Sequence, residues 1–142
     1  EELEGHEFIP FKTALPQAPN AALMMGHLAV PGLGDGQTPA SILPEAYGLA
    51  RETLQYDGPI YTDDIGGMKA IADSLPLADA VVTSLNAGAD MPLWSTEGDI
   101  NAVIDAVVGA VDEGRLPRER LEDAARHVSV PPADVAAEAA QD

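Results

Sequence analysis

The chain has 142 residues and carries 7 Lys and Arg against 24 Asp and Glu, a formal charge of −17 with its histidines neutral. A phosphate backbone or an anionic membrane surface is held by clustered cations, so this balance argues against nucleic acid and acidic lipid as partners and speaks for solubility. With 46% hydrophobic and 22% charged residues a packed core is expected. The length suits one domain but falls well short of the ~250 residues typical of a closed eight-stranded α/β barrel.

The N-terminus, Glu1-Glu2-Leu3-Glu4, is neither basic nor followed by an apolar run, and no stretch approaches the ~20 apolar residues of a membrane helix. An acidic start without methionine reads as a cut inside a longer polypeptide, and the compartment is left open. From Glu2 to Leu15 the apolar residues recur near helical spacing, which predicts a helix kinked at Pro10 and stopped by Pro16. Ala21 to Val30 is a nearly continuous apolar run, expected of a strand covered on both faces and ending near His27. Pro31 to Pro39 is rich in glycine and proline and reads as a loop. Ser41 is placed to cap a helix running through Leu54, with Glu45 in its first turn.

Tyr56-Asp57-Gly58 turns the chain into a short strand, Pro59 to Thr62, with Asp63 and Asp64 at its C-terminal end. Gly66-Gly67 loosens the backbone before a helical stretch from Met68 to Ala87, which Pro76 divides. Gly88-Ala89-Asp90 closes it, and Met91 to Trp94 is a third strand. Asp99 to Glu113 forms an amphipathic helix whose Ile100, Val103, Ile104, Val107, Val108 and Val111 make one apolar stripe. Gly114 ends it, Pro117 opens a last helix, and an acidic, alanine-rich tail from 131 to 142 is expected to be weakly ordered. The order is a helix followed by three strand–helix units, an α/β pattern of parallel strands. In such sheets chemistry gathers at the C-terminal strand ends, here His27, Asp63-Asp64 and Trp94-Ser95.

Six motifs in order resemble glycoside hydrolase family 3, specifically its bacterial β-N-acetylglucosaminidase (β-hexosaminidase) branch, from Leu3 to about Val130. They are Ile9-Pro10-Phe11-Lys12, Met24-Met25-Gly26-His27, Pro39-Ala40-Ser41-Ile42-Leu43-Pro44, Arg51 through Gly58, Thr62-Asp63-Asp64-Ile65, and Ala87-Gly88-Ala89-Asp90 with Gly114-Arg115-Leu116-Pro117 and Arg120-Leu121. The resemblance implies the C-terminal portion of a (β/α)8 barrel in residues 1–130, and hydrolysis of terminal β-linked N-acetylglucosamine, in a glycan or muropeptide, with retention and without a cofactor. It makes Asp63 the nucleophile. In this branch a histidine oriented by an aspartate serves as acid/base and a Lys-His pair grips the sugar. Neither motif occurs in this sequence, and both are expected upstream of Glu1.

Each residue also has a plainer reading. A strand-end Asp often caps a helix or braces a loop, so without the family Asp63 is more often structural than catalytic. His27 is read as a sugar contact against the commoner core histidine, and His6 as a surface residue. His127, near the C-terminal end of its helix, needs no functional role. Trp94 serves equally as a stacking face or as core. A metal held by Asp63, Asp64 and His27 is disfavoured, since the ligands come from separate elements without the spacing of a metal motif, and cysteine is absent. The alternative to a glycosidase is a non-catalytic fragment or a subunit of a split barrel. An open sheet with Met24, Ile60, Met91 and Leu93 facing the barrel interior then predicts self-association, an N-terminal partner chain or a loosely packed monomer.

Overall fold

A computed structural model describes residues 3–18 and 21–129. The expected tail, 131–142, lies outside the described residues. Three strands, β1 (Leu23–Met25), β2 (Ile60–Asp64) and β3 (Met91–Leu93), form one parallel sheet in the order β1-β2-β3. Their connections are helical, as parallel pairing demands, so the chain is α/β and forms a slice of a (β/α)8 barrel.

The helices are α1 (Ile9–Ala14), α2 (Pro44–Gly48), α3 (Lys69–Ala72), α4 (Leu77–Ala87), α5 (Ile100–Asp112) and α6 (Arg118–Val128). Pro10 stands in the first turn of α1, where a missing N–H costs nothing, and so starts that helix instead of kinking it. Pro76 separates α3 from α4 as expected. Asp99 caps α5 by accepting from the Asn101 N–H at 2.9 Å. Gly88 ends α4 at φ 133°, a conformation suited to glycine, and a Cβ there would come within 2.7 Å of the Tyr47 ring.

Three further expectations are corrected. The first strand is only three residues long and ends at Met25, two residues before His27. Ser41 caps nothing: it lies in a single 3₁₀ turn, Ala40–Ile42, and α2 begins beyond it at Pro44. Ile60 does not face the barrel interior. It is fully buried under the helices with Tyr47, Tyr56 and Ala87, whereas Tyr61, paired with Met24 and Met91, takes the inner face. Side chains alternate along a strand, so with Tyr61 on the inner face its neighbour Ile60 must turn to the helices, while Met24, Met91 and Leu93 face inward as expected.

The main core lies where α4, α5 and α6 meet the outer face of the sheet, built on Ile65, Ile71, Val81, Leu85, Val103 and Leu116. The apolar stripe of α5 divides. Val103, Val107 and Val111 turn to this core, while Ile100, Ile104 and Val108, spaced by four, are 58%, 51% and 53% exposed. Met24, Met91 and Leu93 on the inner face are exposed as well.

At the opposite pole, where the strands begin, the fold is tied around one buried carboxylate. The Asp90 side chain is fully buried and accepts from Arg51 Nη2 and Arg120 Nη2, each at 2.7 Å. It also accepts from the Ile60 N–H at 2.9 Å, while the Asp90 N–H donates to the Ile60 carbonyl at 2.8 Å. Arg51 Nη1 donates to the carbonyls of Tyr56 and Gly58, at 2.9 and 2.6 Å. Arg120 donates to the carbonyls of Leu85 and Ala89, at 3.0 and 2.7 Å, satisfying the C-terminal end of α4. His127 completes the cluster, with Nδ1 3.1 Å from Asp90 Oδ1.

Two guanidinium groups left without their buried anion are costly, so Asp90→Ala is expected to destabilise the fold by about 3–5 kcal/mol. Removing the exposed Arg115–Glu113 pair by Arg115→Ala should cost under ~1 kcal/mol. Denaturant unfolding of the two variants beside the wild type checks the contrast.

Candidate active site

Strand β2 carries the carboxylates to the rim. Tyr61 pairs with Met91, but the next partner of Leu93 is Asp64, so β2 holds one residue more than β3 over this interval. The Leu93 N–H is met by Thr62 Oγ1 at 2.9 Å, a side chain standing in for a backbone acceptor. Such an irregularity twists a strand and re-aims its side chains, and here it falls between Tyr61 and Asp64, the interval that contains Asp63.

The two aspartates have different occupations. Asp64 Oδ1 accepts from the N–H groups of Gly66 at 3.0 Å, Gly67 at 2.9 Å and Ser95 at 3.2 Å, and its Oδ2 accepts from the Ser95 hydroxyl. It thereby fastens the loop after β2 to the end of β3. Gly66 and Gly67 do not loosen this loop but allow it to close. A Cβ at Gly67 would lie 2.7 Å from Asp64 Oδ2, and one at Gly66 would lie 3.0 Å from Trp94 Cβ. Asp63, half-buried, accepts one hydrogen bond among the described residues, from the Asp64 N–H to Oδ1 at 2.9 Å. Its Oδ2 has no partner there.

His27 is buried, and its Nδ1 meets Ser41 Oγ at 2.6 Å. The pairing of Met25 with Thr62 brings His27, two residues past the end of β1, to the same rim as Asp63 near the end of β2, but they share no hydrogen bond among the described residues. Trp94 packs on the main core and, with Tyr61, Met91 and Leu93, lines a hollow on the inner face. Asp63, Asp64 and His27 form no common ligand set. A different trio, Asp90, Asp123 and His127, brings ligand atoms within 4.8 Å, but both Asp90 oxygens are engaged by arginine. Ser95, named with Trp94 at the third strand end, enters the site as a partner of Asp64, through its N–H and its hydroxyl. The pairing of His27 with Ser41 is the contact that the sequence did not signal.

The Ser95 hydroxyl is the largest influence and holds the Asp64 carboxyl below the usual carboxylate range against lost hydration, with the N–H groups of Gly67, Ser95 and Gly66 adding to the lowering. The folded value is the lowered one. The contribution of Asp64 to stability is therefore present above the unfolded value of about 3.9 and is lost as pH falls through the folded value. Ser95→Ala should raise the Asp64 midpoint towards the ordinary one. Carboxyl ¹³C titration of both proteins reads this directly.

Comparison with known proteins gives the family. The description "Glycosyl hydrolase family 3 N terminal domain" matches residues 1–130. Beta-hexosaminidase LpqI of Mycobacterium tuberculosis is 39% identical over 127 residues, covering 86% of this chain and 32% of that protein. The solved structure of M. tuberculosis LpqI superposes with a TM-score of 0.83 at 38% identity, over 90% of this chain and 38% of that one. A family 3 β-N-acetylglucosaminidase from Paenibacillus gives 0.77 at 31% identity, over 85% and 23%. The chain thus spans about a third of the length of the curated relative. With the family pattern running through nearly all of its described residues, the chain belongs to glycosyl hydrolase family 3.

Proposed function

We propose that this chain supplies the nucleophile half of a retaining glycosidase acting on terminal β-linked N-acetylglucosamine, in a glycan or muropeptide. The observation that carries the reading is the division of labour at the end of β2. Asp64 is consumed by four donor contacts, whereas Asp63 keeps one oxygen unengaged. A carboxylate fixed by a strand and free at one oxygen suits attack at an anomeric carbon. The names of the relatives supply the sugar class.

In this reading Asp63 forms the bond to the anomeric carbon as the bond to the leaving oxygen breaks. A general acid outside this sequence protonates that oxygen, and water then releases the sugar from Asp63 as the same group takes back a proton. His27 contacts the sugar through its ring. No cofactor enters. In a barrel completed with the N-terminal part of a relative, Asp63→Asn should lower kcat on an aryl β-N-acetylglucosaminide by on the order of 10⁴-fold or more. An activated phenol relieves the need for acid but not for attack, so this substrate isolates the nucleophile. Asp64→Asn should cost roughly 10²-fold at most, through misplacement of its neighbour. An exchange of the two effects would reassign the roles.

The exposed inner face favours a second reading, in which the chain acts as a subunit of a split barrel or associates with itself. Met24, Met91 and Leu93, with Ile100, Ile104 and Val108 on α5, present apolar area to water at ~25 cal/mol per Å². The charge of −17 opposes association at low salt. Sedimentation should show a shift to larger species as salt rises. A compact monomer that unfolds sharply at every salt concentration would remove this reading.

A further inference from the structure

The segment between β1 and α2 holds a buried polar pair with one end unanswered. His27 is 9% exposed and Ser41 fully buried, and they meet through Nδ1 and Oγ at 2.6 Å. The remaining ring nitrogen of His27, Nε2, is buried and has no hydrogen-bond partner among the described residues. Ser41 is held independently of the histidine. Its carbonyl accepts from the Tyr47 hydroxyl at 2.8 Å, and the Ala40 N–H beside it donates to the Leu28 carbonyl at 2.9 Å. Burial pushes the Tyr47 phenol well above its ordinary range, so it remains a donor to that carbonyl.

The proton inventory of the pair has two solutions for a neutral imidazole. If Nδ1 carries the proton, it donates to Ser41 Oγ. The serine proton then has no acceptor among the described residues, and Nε2 offers a bare lone pair, which leaves two buried groups unmet. If Nε2 carries the proton, the serine hydroxyl donates into the Nδ1 lone pair and only Nε2–H is left unmet. Unmet buried polar groups are unfavourable, so the arrangement with one of them prevails over the arrangement with two.

We infer that Ser41 is a positioning residue that locks His27 in its Nε2–H tautomer, making the side chain beyond β1 a hydrogen-bond donor to an oxygen of the amino sugar. The tautomer stands on the structure alone, and only its use toward sugar rests on the function proposed above. This joins two sequence motifs, Met24 to His27 and Pro39 to Pro44, in one device. The serine has no need to touch the substrate, because it acts through the ring. A donor at this position selects acceptor oxygens, hydroxyl or amide carbonyl, and offers nothing to a cationic or purely apolar group.

Long-range ¹H–¹⁵N correlation spectra of the 142-residue chain, recorded above the ordinary histidine titration range, test the tautomer. His27 Nδ1 should resonate as an unprotonated, pyridine-type nitrogen and Nε2 as a protonated, pyrrole-type one. Ser41→Ala should give a mixture of tautomers, and Ser41→Thr, which restores a hydroxyl, should recover the single form. A protonated Nδ1 in the wild type, or a pure Nε2–H form in Ser41→Ala, would overturn the lock. The wild-type spectrum decides the tautomer even if the alanine variant fails to fold. In the completed barrel, N-acetylglucosamine should shift the His27 Nε2 proton resonance, and an unchanged resonance at saturation overturns the donor role. The tautomer is read without sugar, so its failure and a failure of the Asp63 assignment are separate results.

Discussion

A buried anion held by two arginines sets the geometry of this fold. Asp90 precedes β3, Ile60 begins β2, Arg51 follows α2, and Arg120 lies in α6, so one carboxylate gathers residues far apart in sequence. Such an ion is expensive to dehydrate, and its partners must be oriented for it to be tolerated at all. Here the orientation comes from secondary structure. Each guanidinium also donates to backbone carbonyls, Arg51 at the turn before β2 and Arg120 at the end of α4, so the charges cannot drift apart without releasing those groups too. Three short strands would be a weak sheet on their own. With β2 and β3 clamped at their starts, the sheet reaches the other pole in a fixed register.

That other pole is organised by the opposite device, a departure from regularity. The additional residue in β2 sends the strand end into a tight loop closed by Asp64, Gly66, Gly67 and Ser95. Adjacent aspartates would be a poor arrangement if both had the same task, because like charges in one place raise each other's cost of ionisation. The loop resolves this by surrounding Asp64 with donors. Its charge is answered locally, and Asp63 is left with an oxygen that has no partner among the described residues. The stabilising pole and the pole that carries the candidate site are thus built from the two ends of the same sheet, as parallel α/β sheets permit.

Much of this arrangement was legible in the sequence where local chemistry decides the outcome. Pro76 cannot continue a helix, Asp99 is a good cap, and Gly88 tolerates positive φ, and each marks a boundary in the structure. Legibility failed where tertiary contacts decide. Ser41 carries the chemistry of a cap, but a buried histidine fourteen residues earlier took its hydroxyl. Ile60 and Tyr61 are both apolar enough for either face, and only pairing with Leu23 and Met24 distinguishes them. The stripe on α5 is wider than the core behind it, so periodicity counted six residues where packing engages three. Arg51, Asp90 and Arg120 were visible as motif residues, but nothing local says that they meet.

The same distinction bears on the chemistry. Double displacement at an anomeric carbon needs a nucleophile on one side of the sugar and an acid on the other, with carboxylate-type partners ~5–5.5 Å apart in retaining enzymes. Neighbouring strands lie about 4.8 Å apart, so three adjacent strand ends cover only an arc of a barrel rim. In the proposed reading that arc carries the nucleophile, the sugar lies over the inner face, and the acid must approach from the side where Met24, Tyr61, Met91 and Leu93 now face outward from the sheet. The exposed apolar face and the lack of an acid motif in this sequence are then two consequences of one geometric fact. The residues that would bury the first would come from the same part of a barrel that positions the second.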